Sequence, residues 1–116
     1  MFQGQVAGPA KGLDMTKILV IDDEPGILRF IRRALESEGY SVSTASDGAE
    51  GLRLAAEQNP SLVILDLVMP GLSGTAVLAA LLADRRDTKV LVLSAVGDVQ
   101  ARVRCLDAGA VDFLPK

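Results

Sequence analysis

The chain has 116 residues, 49% hydrophobic and 23% charged, with a net charge of −3 and a pI near 4.8. That length supports one domain around one core, and an acidic balance without a basic run excludes wholesale adhesion to nucleic acid or anionic membrane. Cys105 is the single cysteine and histidine is absent, so there is no internal disulfide, thiolate cluster or imidazole ligand, and any metal is held by oxygen.

Residues 1–14 carry Gly4, Gly8, Pro9 and Gly12 among small and polar residues without a sustained period. They read as a flexible leader: either a cloning remnant or misassigned start, with Met15 as the natural start, or an authentic tail. No basic-then-apolar secretory pattern is present, and no apolar run approaches the roughly 20 residues of a membrane span, so a cytoplasmic location is expected.

From Thr16 onward strand-like and helix-like patterns alternate. Ile18 to Ile21 is a strand. Pro25 suits a first helical turn, and Ile27, Leu28, Ile31 and Leu35 recur at helical spacing until Gly39. Val42 to Ala45 is a weaker strand, and Ala49 to Gln58 a helix stopped by Pro60. Leu62 to Leu65 is the third strand, Met69 to Gly74 a loop, and Ala76 to Asp84 an Ala/Leu-rich helix. Val90 to Leu93 follows, then a helix capped by Asp98 that runs through Val99, Val103 and Leu106 to Gly109, and finally the strand Val111 to Leu114. Near-continuous Ile/Leu/Val runs of this length predict parallel strands buried on both faces, whose carboxyl ends share one rim.

At that rim stand Asp22 with Asp23, Asp66, Ser94 and Lys116. Each has an ordinary reading when taken alone: solvated turn acids, an aspartate bonding its own backbone, a helix-capping serine, a terminal charge. Together they supply what phosphoryl transfer to a carboxylate requires. Carboxylates about 5 Å apart repel by roughly 3 kcal/mol per pair at an effective dielectric of about 20, which favours a divalent cation. Oxygen-ligated Mg²⁺ would neutralise charge in such a transfer, while a hydroxyl and an ammonium bind phosphoryl oxygens.

The segments Ile18–Pro25, Leu65–Gly74, Val92–Ala95 and Ala108–Lys116 resemble the receiver domain of two-component response regulators, over Lys17 to Lys116. The resemblance implies a flavodoxin-like α/β fold with a five-stranded parallel sheet ordered 2-1-3-4-5. It also implies Asp66 as phosphoacceptor, Asp23 as direct Mg²⁺ ligand, Asp22 as a ligand acting mainly through water, and the Val68 carbonyl as a further metal oxygen. Ser94 and Lys116 would hold phosphoryl oxygens, and Ser94 with Phe113 would form the switch, although an apolar residue at Phe113 is also ordinary core. The implied donor is a sensor histidine kinase or phosphotransfer protein.

The family pattern continues past the lysine into a fifth helix, which this sequence lacks. A truncated receiver is therefore expected, with an output domain, possibly DNA-binding, beyond Lys116, and with an apolar face that promotes self-association. Two other classes compete. An aspartyl-phosphate phosphatase of the haloacid-dehalogenase type carries an acid two residues after the nucleophile, where Val68 stands, so turnover of external substrates is not expected. A pseudo-receiver that only binds partners would not need all five polar residues.

Overall fold

The computed structural model describes residues 16–84, 88–95 and 99–116; the leader at 1–14 and the Asp98 cap lie outside them. The elements in chain order are β1 (Lys17–Ile21), α1 (Pro25–Glu36), β2 (Ser41–Ala45), α2 (Gly48–Gln58), β3 (Leu62–Leu65), α3 (Gly74–Asp84), β4 (Lys89–Ser94), α4 (Val99–Ala108) and β5 (Asp112–Pro115). All strand pairs are parallel and the order is 2-1-3-4-5. This is the flavodoxin-like arrangement, here with four helices among the described residues.

Local chemistry explains the boundaries. Pro25 opens α1 at a position where its missing N–H costs nothing. The helix ends at Glu36, and the chain turns through Gly39 at φ 94°, a value that favours glycine. Asp47 caps α2 by accepting from the Glu50 N–H at 2.8 Å, and Asn59 closes it in the left-handed conformation ahead of Pro60.

β1 is buried on both sides. Leu19 and Ile21 join Val63, Leu65, Val90, Val92 and Phe113 beneath α2, α3 and α4, while Ile18, Val20, Val42 and Ile64 face Leu28, Ile31 and Leu35 of α1. The second face is the thinner one. Leu62, Leu91 and Leu93 are only partly buried there, and no residue of α1 is fully buried.

The expectation that the Ile/Leu/Val runs are covered on both faces fails at β5. Val111 precedes the strand and is 51% exposed, Leu114 is 41% exposed, and Phe113 alone points into the core. The reason is the thin face: Leu114 pairs with Leu93 on the α1 side, where Leu91 and Leu93 are themselves only partly buried. In α4, similarly, Val99, Val103 and Leu106 are exposed, whereas Ala101 and Cys105 pack inward. Among the described residues no helix is long and apolar enough to cross a membrane.

Candidate functional site

Sheet register assembles the site. Ile21 pairs with Leu65, so the next residues, Asp22 and Asp66, leave adjacent strands side by side. Their backbones extend the ladder by one step: the Asp66 N–H donates to the Ile21 carbonyl at 2.9 Å, and the Asp22 N–H to the Ala45 carbonyl at 3.1 Å. At the far side Ser94 pairs with Pro115, and the Lys116 N–H donates to the Ser94 carbonyl at 3.0 Å. Neighbouring strands lie about 4.8 Å apart, so side chains leaving adjacent ends are within bonding reach.

Asp22, Asp23 and Asp66 each offer a carboxylate oxygen, all within 4.8 Å of one another. Asp22 is 1% exposed and Asp66 2%. Asp23 is the open member, and among the described residues it has no hydrogen-bond or ion-pair partner. The donor set is all oxygen and strongly anionic, which fits a hard divalent cation such as Mg²⁺.

Lys116 closes the cluster. Its Nζ lies 3.1 Å from Asp22 Oδ2 and 3.2 Å from Asp66 Oδ2, and it also donates to Glu24 Oε1. The Lys116 side chain is only 14% exposed. Burial alone would lower its affinity for the proton, but the bonds to Glu24, Asp22 and Asp66 outweigh that and hold the ammonium above the ordinary lysine value.

Asp66 is shifted upward as well, which for a carboxyl favours the neutral form. Burial and the charge of Asp22 raise its carboxyl above the usual range, against the Val68 N–H, 3.2 Å from Oδ1, and Lys116. The native state therefore holds the Asp66 proton more tightly than the unfolded chain does. Its contribution to stability is greatest below the ordinary carboxylate pKa and is lost as pH rises through the raised value. We expect Asp66→Asn to stabilise the metal-free protein at neutral pH by roughly 1 kcal/mol, the scale on which relaxing a functional site returns stability. Urea unfolding should show a smaller decline between pH 5 and 8 than in the parent; an unchanged profile would assign that decline to another group.

The remaining sequence-derived positions are also located. Ser94 ends β4 with its side chain fully buried. Phe113 is 5% exposed and packed in the larger core cluster. Val68 is exposed beside Asp66, and its N–H rather than its side chain engages the site. Glu24 was not singled out from the sequence. Its only signal there is an acid directly after the Asp pair and before a helix-starting proline.

A carboxylate trio and a lysine thus meet at the carboxyl rim of a doubly wound sheet, a donor set suited to a cation and to phosphoryl oxygens. The chain belongs to the response regulator receiver domain family, whose model matches residues 18–116, and thereby to two-component signalling. It is 46% identical to the transcriptional regulatory protein PrrA of Mycobacterium leprae over 105 residues, and 52% identical to KdpE of Mycobacterium tuberculosis over 102. These alignments cover 90% and 88% of the chain but 45% of each relative, so the chain spans about half of their length. Among solved structures it resembles the Thermotoga maritima response regulator TrrA in complex with Mg²⁺-BeF, with a TM-score of 0.79, 36% identity and coverage of 88% of this chain and 87% of that one. It also resembles a CheY-like receiver from Methanospirillum hungatei, with a TM-score of 0.86, 29% identity and coverage of 89% and 82%.

Proposed function

We propose that Asp66 accepts a phosphoryl group from the phosphohistidine of a sensor kinase or phosphotransfer protein, and that the resulting charge switches partner binding. The observation that carries this reading is the convergence of two buried carboxylates, one open carboxylate and a lysine on one strand rim. An Asp66 oxygen forms the new bond to phosphorus as the P–N bond breaks, and the electron pair leaves on the donor imidazole. Asp22, Asp23, Asp66 and the Val68 carbonyl would hold Mg²⁺, which supplies charge neutralisation between carboxylate and phosphoryl oxygens. Lys116 gives one phosphoryl oxygen a charge-assisted hydrogen bond and Ser94 gives another a hydroxyl.

The added charge draws Ser94 toward the phosphoryl group, and Phe113 responds to the space this leaves. Beside them, Val99, Val103 and Leu106 are exposed apolar residues of α4, suited to carrying the output. We place the chain as the receiver part of a longer regulator with a DNA-binding output domain, since PrrA and KdpE bear the name of transcriptional regulatory proteins. The thin cover of the α1 face is also a surface for self-association. No turnover of external substrates is assigned beyond this transfer and loss of the chain's own phosphoryl group.

Acetyl phosphate with Mg²⁺ tests the reading. The wild type should gain the mass of one phosphoryl group and Asp66→Asn should gain none. Asp23→Ala should bind Mg²⁺ at least tenfold more weakly in an NMR titration, because it removes the carboxylate that no group among the described residues already occupies. Modification of Asp66→Asn, or equal Mg²⁺ affinities, would reject the assignment of these residues.

A further inference from the structure

Glu24 stands apart from the acid cluster it adjoins. Its backbone is fixed from two sides: the N–H donates to Asp22 Oδ1 at 2.9 Å, and the carbonyl accepts from the Leu28 N–H at 3.1 Å as α1 begins. As the N-cap residue it makes no side-chain cap, and its carboxylate instead crosses to Lys116, 92 positions away in sequence. Among the described residues Lys116 thus has three carboxylate acceptors. Two of them, Asp22 and Asp66, belong to the cation cluster, and the third does not.

We propose that Glu24 is a positioning residue for Lys116: it retains the ammonium at the rim when cation and phosphoryl group take over the oxygens of Asp22 and Asp66. The inference rests on the reading of Asp66 as phosphoacceptor. Once the cation takes the oxygens of Asp22 and Asp66, and until a phosphoryl oxygen arrives, an ammonium on four flexible bonds swings into solvent unless its third carboxylate acceptor persists. The Glu24 side chain is 57% exposed, so its carboxylate stays hydrated while one oxygen holds the lysine. The same bond is made before and after transfer. It lowers the cost of ordering Lys116 at the moment the phosphoryl oxygens need it.

The test compares phosphorylation rates with acetyl phosphate at saturating Mg²⁺. Glu24→Ala should slow the reaction by roughly three- to tenfold, a modest factor because the pair is partly in water. Glu24→Gln keeps an acceptor oxygen and should recover part of the loss. In a Lys116→Ala background, Glu24→Ala should have no further effect. Independently of phosphorylation, the ¹⁵N signal of the Lys116 ammonium should be visible in the metal-free wild type and broaden through proton exchange in Glu24→Ala. A wild-type rate in Glu24→Ala overturns the role of Glu24 alone, as does an undiminished effect without Lys116. A wild type that Mg²⁺ and acetyl phosphate leave unmodified overturns this inference together with the phosphoacceptor reading.

Discussion

Lys116→Met should destabilise the metal-free protein by about 3 kcal/mol at pH 8, and divalent cation should return most of that loss. Asp22 and Asp66 are nearly inaccessible to water, and their oxygens lie within 4.8 Å of each other. At an effective dielectric of about 20, two such charges repel by roughly 3 kcal/mol. The ammonium at 3.1 and 3.2 Å offsets this repulsion, and methionine, of similar length, cannot. Removing one partner of a buried ionic group typically costs about 3–5 kcal/mol, and the exposed Glu24 arm adds little to the balance.

The loss should depend on pH. Without the lysine, Asp66 can escape repulsion only by taking up a proton, so its already raised carboxyl moves further up. The variant is then closest to the parent at the acid end and falls away as pH rises through the raised carboxyl value. Mg²⁺ at about 100 times its dissociation constant stabilises a native-only site by about 2.7 kcal/mol, enough to replace the missing charge. Urea unfolding at pH 5 and 8, with and without Mg²⁺, separates these effects. Equal stability of variant and parent at pH 8 without metal would mean that the carboxylates do not depend on Lys116.

The same cluster shows which parts of the molecule were legible in the sequence. Asp22, Asp66, Ser94 and Lys116 were visible because each follows a short apolar run, and parallel pairing must bring the ends of such runs together. Glu24 was not visible, since its contact spans 92 positions and depends on how α1 leaves β1. β5 was misread on its outer side because an apolar pattern records composition and not whether a neighbouring strand or helix exists. α4 carries two apolar stripes, and the smaller one, Ala101 and Cys105, faces the core alongside α3. Larger residues on the other stripe advertised burial that the fold does not give them among the described residues.

Gly74→Ala should cost about 2–4 kcal/mol and weaken the cation site as well, although Gly74 touches no ligand. A Cβ there would stand 2.3 Å from the Leu67 Cα and 2.5 Å from its carbonyl oxygen, backbone atoms that cannot rotate aside. The Gly74 N–H also donates to that carbonyl at 3.1 Å, which pins the first turn of α3 to the residue directly after Asp66. Overpacking of this kind costs about 1–3 kcal/mol, and the broken hydrogen bond adds about 1. Relief comes by moving the Leu67 peptide, whose next N–H, that of Val68, is the one bound to Asp66 Oδ1. Losing that donor raises the Asp66 carboxyl further and displaces the Val68 carbonyl proposed as a metal oxygen, so Mg²⁺ affinity should fall with stability. Gly71→Ala in the same loop is the control: it has open space around the added methyl but a φ of +84°, so it should cost about 1 kcal/mol through backbone strain and leave Mg²⁺ affinity unchanged. Equal stability losses in the two variants, or an unaltered cation affinity in Gly74→Ala, would show that the loop and the acid cluster are not mechanically joined through Leu67.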